Sequence, residues 1–384
     1  MKNLGVNYIG YFNEPCGLTE ASISNVKALE SVGVDVNVVS YLFNHKRDIY
    51  DHQKKEDSKK YGINIFHINL GTIKQFVRKT GKKQFKNKYN VAFWVWEFKE
   101  IPEDIIPYMS LFDEIWTASD FCVEIFSKKS PCPVVNIPHP IQIQSSGFTR
   151  AHFGLDEDKF TFLTIFDSHS AILRKNPYAV IEAFQKTFGK ENKDVVLLVK
   201  SIGLDDFPED KKKMEFFLKG SSNIKIINKR VSRQELTGLI ENSDSLVSLH
   251  RSEGFGLTMA EAMYFKKPVI ATGYSGNMVF MNMKNSFPVQ YLLKPLEDSH
   301  GMLKKGFIAA DADIQDASLK MRKVFENSQS VIDIVANGQK TIKKDFSYIA
   351  IGNKMKERLL NAKVPIRKRL FQDIKQFFMN STNE

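Results

Sequence analysis

Short continuous apolar runs alternate with stretches of helical period along most of this 384-residue chain, and that alternation limits its fold more than any other feature. The strand-sized runs of the first part are Val6–Phe12, Val34–Tyr41, Ile63–Ile68, Val91–Trp96, Glu114–Thr117 and Val134–Ile137. Those of the second are Phe160–Ile165, Val195–Lys200, Ile224–Ile227, Ser245–Leu249 and Val269–Thr272. Most lack polar alternation, so they suit strands of parallel sheets covered on both faces. Between them, Glu20–Val32, Pro177–Phe188 and Arg233–Ile240 carry the 3.6-residue apolar period of helices laid on a sheet. Ser232 and Glu235 form a capping box, and Asn176 before Pro177 predicts an N-cap and a first-turn proline. The expected class is α/β with parallel sheets. The length exceeds what one core usually covers, and the polar stretch Gln142–Glu157 marks a boundary. The expected division is 1–145, completed by a helical tail at 346–384, and 146–345.

Composition enters through charge. The 55 Lys and Arg against 44 Asp and Glu leave +11, concentrated in Lys74–Lys88 and in the tail from Lys343 to Lys375. A solvated lysine-rich surface accounts for this without any partner. Of the functional readings, an anionic membrane surface is favoured over nucleic acid. Phe, Ile and Leu interleave with the cations as on an interfacial helix, and no nucleic-acid-binding signature accompanies them. No apolar run approaches the roughly 18–20 residues that span a bilayer, and the N-terminus has no secretory apolar stretch. Cys16, Cys122 and Cys132 form no C-x-x-C and no metal-type spacing, so a reducing cytosol is expected, with no catalytic thiol.

The most informative segment is Ser248–Met263, SLHRSEGFGLTMAEAM. It leaves a strand, passes Gly254 and Gly256, and opens a helix near Leu257. A helix N-terminus attracts an anion such as a diphosphate, and glycines let the backbone approach it closely. Glu253 precedes the helix and Glu261 lies one turn inside, where a carboxylate can accept hydrogen bonds from both ribose hydroxyls.

Glu253 and Glu261 resemble the E-x7-E motif of the family 4 retaining glycosyltransferases, and the resemblance runs from Ser252 through Thr272 and on to Gly273–Asn277. It implies a GT-B fold: two Rossmann-like domains with parallel sheets facing across a cleft, the C-terminal helix returning to the first. It further implies a nucleotide-sugar donor, linked to uridine or guanosine diphosphate and bound by the second domain. The acceptor, a glycan or lipid-linked sugar, falls to the first. By that resemblance Glu253 contacts the transferred sugar and Glu261 the ribose, while Gly254, Phe255, Gly256, Leu257, Thr258, Ser275 and Gly276 line the donor. Arg174 and Lys175, in DSHSAILRKNP, match the family's basic pair that neutralises the leaving diphosphate, although Asp167–Ser168 replaces the earlier Gly-Arg. Arg230 and Val231 are expected beside the base, and Gly17, in NEPCGL, in the donor-facing loop.

His139, in IPHPI, is a candidate for reaching the sugar. Glu97, at a strand's carboxyl end, is a candidate for the acceptor. His250 is expected to pack, and Arg251 to neutralise the acidic loop or phosphate. Asp311–Ala312–Asp313 spells a metal-binding string, but Asp313 before a helical stretch is better explained as a cap. No cluster has the oxygen density of a divalent cation site, so no cofactor and no metal are expected. The resemblance implies cell-surface polysaccharide or lipopolysaccharide synthesis at the inner face of a bacterial inner membrane. A nucleotide-sugar epimerase and a non-catalytic adaptor of the same architecture remain as alternatives. The carboxylates and histidines of an epimerase are not recognisable, and the intact Glu253/Glu261 and Arg174/Lys175 pairs argue against an adaptor.

Overall fold

The computed structural model describes residues 4–12, 16–41, 61–297 and 305–362. Positions 13–15 of the NEPCGL turn and the tail beyond 362, with its basic stretch Lys363–Lys375, lie outside them. In chain order the elements begin β1 (Gly5–Gly10), α1 (Gly17–Ser31), β2 (Asp35–Ser40), β3 (Ile63–His67), α2 (Ile73–Thr80) and β4 (Tyr89–Phe93). There follow α3 (Ile106–Met109), β5 (Glu114–Thr117), α4 (Asp120–Ser127), β6 (Val134–Asn136), β7 (Phe160–Asp167), α5 (Ile172–Lys175) and α6 (Pro177–Phe188). Next come β8 (Val195–Ile202), α7 (Pro208–Leu218), β9 (Ile224–Asn228), α8 (Arg233–Asn242), β10 (Ser245–Ser248), α9 (Leu257–Tyr264) and β11 (Val269–Thr272). The last are β12 (Phe287–Val289), β13 (Tyr291–Pro295), β14 (Ile308–Ala312), α10 (Ile314–Glu326), α11 (Gln329–Asp345) and α12 (Tyr348–Leu360).

The chain falls into two compact units. The first comprises Met1–Trp96, Glu100–Pro140 and Tyr348–Glu384, the second Glu97–Lys99 and Ile141–Ser347. Each holds a six-stranded parallel sheet, in the order β2-β1-β3-β4-β5-β6 and β12-β11-β10-β7-β8-β9 respectively. This is a two-domain Rossmann-like α/β architecture of the GT-B kind. Every strand anticipated from the apolar runs is present. Three were not anticipated. β12 is a three-residue edge strand carrying Pro288, tolerated where no neighbour needs its N–H. β13 and β14 form a separate antiparallel ribbon whose Leu292 and Leu293 are exposed, so no buried run announced it.

In the first unit, α12 lies on α1 so closely that a Cβ on Gly352 would stand 2.2 Å from the Ala28 carbonyl oxygen. Arg358 Nη2 reaches the buried Glu114 carboxylate at 2.6 Å. A row of buried asparagines also crosses this sheet in register, Asn37–Asn7–Asn64–Asn90. Each side-chain amide donates to the next carbonyl, from Asn37 to Asn7 at 3.0 Å, Asn7 to Asn64 at 2.8 Å and Asn64 to Asn90 at 2.9 Å. The ladder satisfies polar groups that would be costly alone.

The basic stretch Lys74–Lys88 differs from expectation. Its apolar residues Phe76, Val77 and Phe85 are buried in the first unit's core, with Phe66 and Phe85 stacked at 4.6 Å. The apolar face that suggested an interfacial helix is occupied by the sheet, leaving the exposed cations Lys74, Arg78, Lys79, Lys83 and Lys86. Among the described residues no helix is long and apolar enough to cross a membrane.

Candidate functional site

In the second sheet the strand order reverses at β7, with β8 and β9 on one side and β10, β11 and β12 on the other. Open α/β sheets bind ligands outside the strands' carboxyl ends at such a reversal. The two loops that emerge there, after β7 and after β10, bring Arg174 and Lys175 to Glu253. Lys175 Nζ donates to Glu253 Oε1 at 2.5 Å, and Arg174 Nη1 stands 3.2 Å from the same oxygen. Arg174 Nη1 also donates to Ser252 O at 3.0 Å, and its Nη2 lies 3.7 Å from Glu97 Oε1. Glu97 therefore belongs with the second unit's cations.

Burial alone would push the Glu253 carboxyl up, but Lys175 and Arg174 outweigh it and hold it at about 2. Burial lowers the Lys175 ammonium against the pull of Glu253. Both cations are thus engaged by one buried carboxylate at the strand-order reversal.

The loops are held in unusual conformations. Ala171 (φ 64), Asn176 (φ 51) and Ser275 (φ 77) occupy the left-handed region, where non-glycine residues are strained. Asn176 does not cap α6 with its side chain as expected; its Nδ2 donates to Leu249 O at 2.9 Å, tying the β7 loop to the end of β10. Glu253 N–H donates to Ser275 Oγ and Gly276 N–H to Glu253 O, both at 2.8 Å. A Cβ on Gly276 would stand 2.0 Å from Gly254 O, so glycine is required there for two backbones to touch. The Gly276 amide, in a residue expected to line the donor, is engaged by the protein. Gly256 (φ 95) is the N-cap of α9, which starts at Leu257 as expected and aims its first-turn amides, including that of Thr258, at the same edge. His250 is fully buried, its Nε2 facing Tyr274 O at 3.2 Å and Asn277 Oδ1 at 3.1 Å, with burial lowering its pKa. Arg251 faces Leu173 O at 2.8 Å and Asp311 at 3.6 Å, its burial lowering its pKa.

Glu261, on α9, is paired by Arg233, whose Nη2 reaches Oε1 at 2.6 Å and Nη1 reaches Oε2 at 3.1 Å. Behind the loop after β9, the fully buried Lys200 donates to Ser201 O at 2.8 Å and Lys229 O at 2.6 Å. Burial pushes its pKa down to about 8. Arg230 is exposed and Val231 half-buried on that loop.

Other expected residues stand apart. Phe255 is packed 5.1 Å from Phe280 and is 3 % exposed, so its ring belongs to the core and not to a donor surface. Gly17 opens α1 of the first unit. His139, also in the first unit, is stacked on Phe93 at 5.2 Å and His67 at 5.8 Å, and burial pushes its pKa down to about 3. It is a neutral core side chain in this conformation, enclosed by rings. Asp313 caps α10 by accepting from Asp316 N–H at 3.0 Å, and Asp311 pairs with Lys294. Among the described residues no group of three or more His, Cys, Asp or Glu could hold a metal ion. Arg233 and Lys200 escaped the sequence reading. Arg233 follows the Ser232 cap and looks like a solvated first-turn residue, while Lys200 follows the five apolar residues Val195–Val199 and could have been noticed as a cation at the end of a buried run.

A family model described as glycosyl transferases group 1 matches residues 148–341. The fold is shared with solved structures at identities that speak for fold alone. Anabaena HepE in complex with UDP and glucose matches with TM-score 0.63 and 14% identity over 94% of this chain and 100% of its own. A glycosyltransferase from Rickettsia africae matches with TM-score 0.67 and 14% identity over 94% and 99%. Sucrose-phosphate synthase from Thermosynechococcus elongatus matches with TM-score 0.67 and 13% identity over 94% and 100%. No curated protein sequence matches the chain.

Proposed function

We propose a specific reaction for this chain, which belongs to the glycosyl transferases group 1: transfer of a sugar from a nucleoside-diphosphate donor to a glycan or lipid-linked acceptor, with retention of anomeric configuration. The observation that carries it is the meeting of Arg174, Lys175 and Glu253 at the strand-order reversal of the second sheet. Breaking the bond between the sugar C1 and the diphosphate oxygen places new negative charge on the leaving group. Arg174 and Lys175 stabilise that charge, in place of a metal ion, and the amides opening α9 add to it. As the cations turn to the diphosphate they release Glu253 toward the sugar. Glu261 takes the ribose, and the Arg230–Val231 loop borders the base. The acceptor hydroxyl attacks C1 on the face the diphosphate leaves, and its proton passes to the departing phosphate oxygen. No protein nucleophile is required, so the chain contributes positioning and charge. Ser275 and the 254–258 turn shape the donor loop, and Glu97 is assigned to the acceptor. His139 receives no chemical role.

Uridine diphosphate is the first donor class to try, because HepE was crystallised with it, followed by guanosine diphosphate. Lipid-linked sugars of cell-surface polysaccharide synthesis are the acceptors favoured by the exposed cations at 74–86, which suit the inner face of a bacterial membrane. The test is a panel of UDP- and GDP-sugars with lipid-linked acceptors, following acceptor-dependent release of nucleoside diphosphate and the product anomer by NMR. A product with the donor's configuration supports the reading, and an inverted one overturns retention. Donor isomerised without acceptor would establish an epimerase instead, and binding without turnover an adaptor.

A further inference from the structure

Strand β8 presents alternate residues to the two faces of its sheet. Val195, Leu197 and Val199 enter the core shared with α6 and α10, so Val196, Leu198 and Lys200 point to the opposite face. All three are buried, Lys200 to 1% exposure. An aliphatic side chain would complete that face without cost, whereas an ammonium there must be taken out of water. Among the described residues no carboxylate pairs with it. Burial is the largest influence on Lys200 and pushes its pKa down to about 8; Asp167 and Glu235 favour the charge from a distance, against Arg230 and Lys229.

What Lys200 holds is backbone: Ser201 O at the end of its own strand, and Lys229 O in the loop after β9. The flanks of that loop are pinned too. On one side Asn228 Oδ1 accepts from Ser201 Oγ at 3.0 Å and from Leu204 N–H at 3.3 Å, and its Nδ2 donates to Asp205 Oδ2 at 2.8 Å. On the other, the capping box of Ser232 and Glu235 starts α8. Between these fixed points lie Lys229, Arg230 and Val231, and Lys200 takes the first of their carbonyls. A charge kept where packing asks for a methyl group points to function over stability.

We propose that Lys200 is a positioning residue that holds the 229–231 loop in the shape that receives the nucleotide base, and so sets how much of the donor's affinity comes from its base. This rests on the donor-site reading given above, in which that loop borders the base. Lys200 acts through the Lys229 carbonyl, not by touching the nucleotide. Methionine has nearly the same length but neither donor nor charge. Lys200→Met should melt close to the parent, since the desolvation it relieves offsets the hydrogen bonds it removes.

The experiment is calorimetric titration of the full chain with UDP, GDP and, as the probe without a base, inorganic pyrophosphate. The variants are Lys200→Met and Lys200→Gln, whose shorter side chain offers a donor without charge. The parent is expected to bind one nucleoside diphosphate more tightly than pyrophosphate. Lys200→Met should bind that nucleotide about tenfold more weakly and pyrophosphate within about twofold of the parent, because Arg174, Lys175 and the start of α9 are untouched. Lys200→Gln should recover part of the preference. An unchanged preference in Lys200→Met, or equal losses of nucleotide and pyrophosphate, would overturn the proposal while leaving the donor site standing. A folded parent that binds nucleotide and pyrophosphate equally would overturn the assignment of the base to this loop. One that binds neither would overturn the donor-site reading, and either result takes this inference with it. Should Lys200→Met fail to fold, Lys200→Gln alone decides by whether the preference falls.

Discussion

Glu253 illustrates how much a single residue's charge depends on residues distant in the chain. Its partners Arg174 and Lys175 lie 78 residues or more before it, and together they hold its carboxyl at about 2 against the burial that would raise it. Because the folded pKa is depressed below the ordinary value of 4.5, the stabilisation is complete above 4.5 and is lost as pH falls toward 2. The stability difference between the parent and Glu253→Gln, measured by denaturant titration, should therefore shrink across that window; a constant difference would contradict the ion pairs. The same variant frees two buried cations. It should melt at a lower temperature when unliganded, bind nucleoside diphosphate about tenfold more tightly, and lose transfer. Weaker nucleotide binding would mean that the cations do not exchange Glu253 for phosphate. The family resemblance singled out Glu253, Glu261, Arg174 and Lys175, and the structure brings Arg174 and Lys175 to Glu253. Which cation faces which carboxylate was not legible in the sequence, since that depends on Asn176 and Ser275 holding left-handed conformations that no local pattern announces.

At the scale of elements, the site depends on two loops touching backbone to backbone. Gly276→Ala would place a Cβ 2.0 Å from Gly254 O, with no flexible side chain to yield, and should destabilise the second unit by about 3 kcal/mol, the upper end for overpacking. Nucleotide binding should disappear with it. Calorimetry finding a native-like Gly276→Ala with parental affinity would remove the loop contact from the account. In the first unit, Asn64→Ala breaks the asparagine row at its centre: Asn7 Nδ2 keeps Tyr61 O and Ile63 O, while Asn90 Oδ1 loses its Asn64 donor. A loss of about 1–3 kcal/mol for that one buried acceptor is expected in urea unfolding. Apolar runs located every strand of the two sheets except β12, because burial on both faces leaves them continuous, while capping residues, Pro177 and the glycines at 254 and 256 marked the starts of α6, α8 and α9. They missed the ribbon of β13 and β14, which buries too little to leave such a run. Periodicity also could not show that Phe76 and Phe85 face inward, since a helix on a sheet and a helix on a membrane share one amphipathic pattern.

The whole molecule couples a family-defined second unit to a first unit whose surface carries a cluster of lysines. With Phe76, Val77 and Phe85 buried, the 74–88 stretch can meet an anionic membrane only through its charges. Sedimentation with anionic liposomes at low salt should vanish at high salt, where charges are screened within about 3 Å. It should also vanish when Lys82, Lys83, Arg367, Lys368 and Arg369 are replaced by Glu; persistence in either case would contradict this surface. The central claim is that the carboxyl edge of the second sheet binds a nucleoside diphosphate through the Glu253–Glu261 segment. Its most direct test is calorimetric titration with UDP and GDP of the parent and Glu261→Ala. The account predicts that one nucleotide binds the parent and that the variant loses at least tenfold in affinity, about 1.4 kcal/mol. A folded parent that binds neither nucleotide, or a variant that binds as tightly as the parent, would contradict it.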